Sequence, residues 1–243
     1  MSWSARSQNT PLPMWRARVS SIGRSEYSSV WDSASDAVSG PGQTDRVTAS
    51  HNVARHAHAD LAWVQSMGGP LIVIPVSALG QWGGCTGNGV IVGGTDVPDD
   101  YDRACDVEGW AGIVEIGTAG SGLVLADEPA TTCYLPEQNV FLRWLAADSD
   151  AELLEAAKAV MEDPATDWED CGVWETDGAA VLLDSAVAGA DLAVQYPDQE
   201  GLPEQAQVSV PAGRWSVRAF HKTGDLPWVG IVQLLPACTV SAV

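Results

Sequence analysis

The sequence predicts an α+β fold that is mainly antiparallel β-sheet with a few short helices. Three observations point there. Trp215, Val217 and Ala219 alternate with Ser216, Arg218 and Phe220, the period of a half-buried strand. Short apolar runs flank turn residues twice, at Thr118-Ala119-Gly120-Ser121 and at Asp177-Gly178. A sustained helical period occupies residues 151–161, where Leu153, Leu154, Ala157 and Val160 share one face.

Taken in order from residue 59, the elements of one α+β domain follow. Residues 63–65 and 71–74 read as strands separated by a turn at Gly68-Gly69-Pro70. Ser77 can cap a short helix over 78–82 that ends at Gly83-Gly84. Residues 90–92 are a brief β-branched run between Gly89 and Gly93, read as strand-like. Pro98 and the acids Asp99, Asp100 and Asp102 open a helix that Gly109 stops, because carboxylates are favoured in a first turn. A hairpin is expected from 111–116 and 123–126, and a strand from 140–145. Asp148 or Ser149 caps the 151–161 helix and Pro164 closes it. A second hairpin is expected from 173–176 and 180–183, and strands at 207–210, 214–221 and 228–235 complete the sheet. Both hairpins end in an acid, Asp127 and Asp184, which suggests a weak internal duplication with halves at about 60–165 and 166–238.

At 243 residues and 46% hydrophobic content the chain is globular. Lys and Arg number 12 against 32 Asp and Glu, a net charge of −20. Phosphate recognition is driven by Lys and Arg, so nucleic-acid binding is excluded as a function class, and attachment to anionic lipid is disfavoured. A charged macromolecular partner must be basic. The charge is unevenly spread: residues 1–58 hold six Arg and four acids, leaving −22 for the rest. That first segment is rich in Ser, Arg and Ala and lacks long apolar runs, so little burial offsets its ordering entropy. It is expected to be an extension or loosely attached arm, or to precede a natural start near Asp60 or Met67. Only Lys158 and Lys222 are lysines, while Ala, Gly and Val abound, as in proteins from GC-rich bacterial genomes.

Cys85, Cys105, Cys133, Cys171 and Cys238 are odd in number and widely spaced, without a CxxC pair. Neither a disulfide framework nor a structural zinc site is expected, and buried thiols in a reduced compartment are. Residues 61–95 carry no charge, but nine glycines and several amides break the stretch, so no membrane span is expected. The amino terminus lacks the apolar core of a secretory signal, and a cytoplasmic location is the expectation.

Several motifs invite a chemical reading. His56, His58 and Asp60 have the HxHxD spacing of binuclear metallohydrolases, yet only His221 follows and no metal site is predicted. Gly83-Gly84-Cys85-Thr86-Gly87-Asn88-Gly89 resembles a phosphate cradle but fits neither the dinucleotide fingerprint nor a GK[ST] loop, so it reads as a flexible loop. No GxSxG elbow is present, and Cys105 or Cys133 would need a positioned base. Eleven Trp beside many acids also suit a carbohydrate-binding module or glycan-processing enzyme, with Asp127 and Glu128, or Glu175 and Asp177, as paired carboxylates. The plainer reading places Trp63, Trp110, Trp144, Trp174, Trp215 and Trp228 on strands as core filling. No catalytic residue and no cofactor are predicted.

The acidity is the strongest signal. Asp96, Asp99, Asp100, Asp102, Asp106 and Glu108 place six acids in 13 residues, and a second run from Glu162 to Asp177 adds seven in 16. Such potential steers a basic protein partner and enforces its selection. Asp99, Asp100, Asp102 and Asp106 are the expected steering acids, with Glu108, Asp127 and Glu128 beside them and Trp110 as an aromatic anchor.

From Trp63 onward the chain resembles a bacterial family, immunity protein 21. The resemblance rests on Trp63-Val64-Gln65-Ser66-Met67-Gly68-Gly69-Pro70-Leu71-Ile72, on Asp100-Tyr101-Asp102-Arg103-Ala104-Cys105, and on Leu125-Ala126-Asp127-Glu128-Pro129. The closing Trp228-Val229-Gly230-Ile231-Val232-Gln233-Leu234 is also similar. It covers roughly residues 60–236 and leaves 1–58 without a counterpart. The resemblance implies a protein that binds and silences a cognate toxin of a polymorphic-toxin system. It implies no catalytic residues.

Overall fold

The computed structural model describes residues 61–118, 120–126, 129–196 and 201–237. The readings on 1–58, on His56, His58 and Asp60, on Asp127 and Glu128, and on Cys238 lie outside the described residues. In chain order the elements are β1 (Leu71–Pro75), α1 (Asp100–Cys105), β2 (Gly112–Ile116), β3 (Gly120–Leu125), β4 (Thr131–Leu135) and β5 (Val140–Ala146). Then follow α2 (Asp150–Glu162), β6 (Glu169–Thr176), β7 (Ala180–Asp184), β8 (Gln205–Val208), β9 (Gly213–Lys222) and β10 (Trp228–Pro236). The architecture is α+β and mainly antiparallel. One sheet runs β2-β3-β1-β7-β8 and the other β4-β5-β10-β9-β6. Each takes strands from both sides of residue 165.

The sheets face each other across the main core. Leu71, Val73, Leu123, Leu125 and Leu182 come from the first sheet, and Phe141, Trp174, Trp215, Val217 and Val232 from the second. The first sheet also buries its outer face: Ile72, Ile74, Val124, Val181 and Leu183 lie against Ala78, Trp82, Ala104 and Leu192. Burial on both faces explains why β1 reads as an unbroken apolar run rather than an alternating one. On the outer face of the second sheet, Leu153, Ala156, Ala157 and Val160 of α2 cover Cys133, Leu142, Val229 and Ile231. A Leu side chain buried this way stabilises the fold by about 1.5–3 kcal/mol. Ser149 is the cap of α2, accepting from the Glu152 N–H at 3.3 Å.

Several elements depart from expectation. β6 and β7 do not form the hairpin that Asp177-Gly178 predicts: β6 pairs with β9, while β7 pairs with β1 and β8 in the other sheet. The turn reverses the chain but carries it across the core, with Trp174 and Ala180 both facing inward. Residues 90–92 are not a strand, because their backbone donors are spent on a carboxylate described below. The helix over 78–82 is a single 3₁₀ turn, Leu79–Gln81. Of residues 63–65 only Val64 pairs, bridging Thr132. Strand β4, unpredicted from sequence, forms a hairpin with β5 around Asn139, which adopts φ 51°.

Candidate functional site

The acid-rich stretch and the glycine-rich run fold onto each other. Asp99 caps α1 and forms a capping box with Asp102: Asp99 Oδ1 accepts from the Asp102 N–H and Asp102 Oδ2 from the Asp99 N–H, both at 2.9 Å. Asp99 Oδ2 accepts from the Thr86 N–H at 2.7 Å and from its hydroxyl at 3.0 Å. Asp102 reaches further into the loop, with Oδ2 accepting from Val90 N at 2.6 Å and Oδ1 from Ile91 N at 2.9 Å. Asp100 accepts from Gly83 N at 2.7 Å and pairs with Arg103 at 2.5 Å. The run taken for a flexible loop is therefore tied down by three carboxylates, Asp99, Asp100 and Asp102, at the start of one helix. It does cradle an anion, in the manner of a backbone nest, but the anion is the chain's own Asp102.

Glycine is required where the two parts touch. A Cβ on Gly89 would lie 2.4 Å from Asp99 Oδ2 and 2.7 Å from Asp102 Oδ2. The loop closes on its far side through Gly94 N to Val90 O at 3.1 Å and the Thr95 hydroxyl to Asn88 O at 2.7 Å. Asp102 is only 3% exposed. Burial alone would raise its carboxyl, but the N–H groups of Asp99, Val90 and Ile91 outweigh burial and hold it below the ordinary carboxylate range. Its charge thus works inward.

The remaining predicted residues divide. Asp106 and Glu108 are exposed beyond the end of α1, and Asp99 and Asp100 are half-buried. Trp110 is half-buried: its indole stacks on His221 at 4.9 Å and 12°, and its backbone N–H donates to Glu169 Oε1 at 3.3 Å. Beneath it, buried Arg143 donates to Ala126 O at 2.5 Å and lies 3.4 Å from His221 Nε2. Trp63 meets Trp144 edge-on at 5.5 Å, and Trp228 is exposed with its indole N–H on Gly224 O at 2.7 Å. Trp82, Trp174 and Trp215 are buried, as the core-filling reading predicts for the last two. Glu175 is engaged in an exposed ion pair with Arg214 at 2.8 Å.

Two strings quoted above meet in space. The Tyr101 ring packs so closely on Gly69 that a Cβ there would lie 2.6 Å from it. Tyr101 N donates to Gly84 O at 3.2 Å, and Pro70 O accepts from the Ser185 hydroxyl at 2.6 Å. Met67 N donates to buried Asp184 at 2.6 Å, whose carboxyl burial pushes up. Burial also pushes the Cys105 and Cys133 thiols up to about 12 and that of Cys171 to about 11, far from thiolate character at neutral pH. Among the described residues no group of three or more His, Cys, Asp or Glu is placed to hold a metal ion. No helix among them is long and apolar enough to cross a membrane.

The family model of immunity protein 21 matches residues 62–226. The chain belongs to the immunity protein 21 family. The match takes in the two strings that meet at Gly69 and Tyr101, the whole carboxylate-anchored loop, and strands β1 to β9; it stops short of the closing string at Trp228. No curated protein and no solved structure matches the chain. What sequence reasoning missed here is the inward role of Asp102. The signal was present, since an acid three residues after a capping acid is a box-like pattern.

Proposed function

We propose that this chain binds and neutralises a cognate bacterial toxin whose domain is basic, and that it does so by occlusion rather than by catalysis. One observation carries the charge of the partner. Between residues 61 and 142 the sequence holds ten acids and a single base, Arg103, which is itself paired with Asp100. A surface so one-sided attracts a cationic face from a distance and repels acidic competitors. The exposed Asp96, Asp106 and Glu108 supply the outward field, while Asp99, Asp100 and Asp102 fix the segment that presents it. The buried, protonated thiols and the inward Asp102 support a binding role, because neither offers a reactive group to a substrate.

Co-expression with the product of the adjacent gene tests the reading through growth rescue and co-purification. Changing Asp96 and Asp106 to Asn and Glu108 to Gln should slow association with that product and flatten its salt dependence. An unchanged on-rate at low salt refutes steering by these acids.

A further inference from the structure

We infer that Val90, Ile91 and Val92, at the tip of the carboxylate-anchored loop, form the apolar anchor of the docking surface, and that their occupant is a cationic protein face containing an apolar recess. The inference rests on the toxin-binding reading and locates the contact that the acids only steer. The three side chains are consecutive, β-branched and exposed by 43%, 40% and 63%, and Val97 at the base of the loop is exposed by 69%. Other exposed hydrophobics, such as Val76, Val173 and Leu226, are scattered singly, as on any protein surface, whereas these three are contiguous.

What distinguishes this run from scattered surface apolar residues is the way it is held. The backbone N–H groups of Val90 and Ile91 donate to Asp102, so the tip is fixed from behind by a buried carboxylate. β-branched side chains are also stiff about χ1, and both features reduce the entropy lost on docking. The same loop carries the exposed Asp96, and Asp99 is tied to it through Thr86. An apolar centre within a charged rim is the usual anatomy of a specific interface.

Charge selects the occupant. A second copy of a chain with net charge −20 would bring like charges together around the tip, whereas a cationic face would pair with the rim. A groove of about 520 Å³ between α2 and the second sheet is rimmed by Glu155, Lys158 and Glu162 and has no single sign. Trp110, half-buried with its indole stacked on His221, presents a smaller fraction of its surface than the loop tip does.

The test uses the full chain and the product of the adjacent gene. Val90→Ser, Ile91→Ser and Val92→Ser together remove the aliphatic tip while leaving backbone donors in place. Surface-plasmon kinetics should show at least tenfold faster dissociation with little change in association rate, and the thermal melt should not move. Equal dissociation rates for the variant and the wild type overturn the anchor and leave the toxin reading standing. Failure of the wild type to bind overturns both. Hydrogen exchange on the free protein supplies an arm independent of any partner: protected Val90 and Ile91 amides support the fixed tip, and unprotected ones refute it.

Discussion

Asp102→Asn is the sharpest probe of how the acid-rich segment is built. The carboxylate accepts three backbone N–H groups, from Asp99 at 2.9 Å, Val90 at 2.6 Å and Ile91 at 2.9 Å. Asn keeps one carbonyl oxygen and turns an amide NH₂ toward at least one of those donors. Hydrogen bonds to a charged group contribute about 1.5–3 kcal/mol each, and a buried donor left without an acceptor costs about 1–3 kcal/mol. Only the loop separates Asp102 from water, so an opened loop regains hydration and the full sum is not reached. The expected loss is about 2–3 kcal/mol in the stability of the loop–helix unit. Urea denaturation, with amide exchange at Thr86, Val90 and Ile91, reads it. pH supplies the second axis. Because Asp102 is held below the ordinary carboxylate range, its contribution is complete above the unfolded value of about 4 and is lost as pH falls through the lower folded value. Asp184, pushed up by burial, acts with the opposite sign, and its penalty at neutral pH relaxes on acidification. Wild type should therefore lose loop protection in acid, while the Asn variant lacks it throughout. A variant within 0.5 kcal/mol of wild type, on the order of an ordinary surface change, and with unaltered exchange would refute the inward assignment of Asp102.

Two further outcomes follow from the same geometry. Gly89→Ala forces a Cβ against both Asp99 and Asp102, at 2.4 Å and 2.7 Å, and should destabilise the loop by about 1–3 kcal/mol, measured by thermal melting beside the exchange pattern of Asp102→Asn. Cys105 and Cys133, with thiols pushed up to about 12 by burial, should be inert to a disulfide reagent at pH 8 and should react only on unfolding; rapid modification of the native protein would contradict their placement.

Much of the fold was legible because it is written in local period. The alternation of Trp215, Val217 and Ala219 marks β9, and the stripe of Leu153, Ala157 and Val160 marks α2, since in each case one face meets a core. The Asp177-Gly178 turn misled for a physical reason: a tight reversal fixes chain direction, while the partner strand is chosen by distant residues, here Trp215 for Trp174 and Leu71 for Asp184. At the candidate site, the helix start at Asp99 could be read and the loop's rigidity could not. Its order comes from acceptors 11 to 13 residues away in the chain, a pairing that composition and glycine content hide. The stacking of Trp110 on His221 was not legible, because His221 is supplied by β9 from a distant part of the sequence.

β10 lies at the centre of its sheet, between β5 and β9, although it follows every other described strand in the chain. Until residues 228–236 have left the ribosome, β5 has β4 on one side and an open edge on the other. A nascent chain must therefore keep that edge from foreign pairing while the final strand arrives, and such non-local closure is slow. The second sheet is therefore completed only when residues 228–236 arrive, and its two halves, β4-β5 and β9-β6, are held together through that one strand.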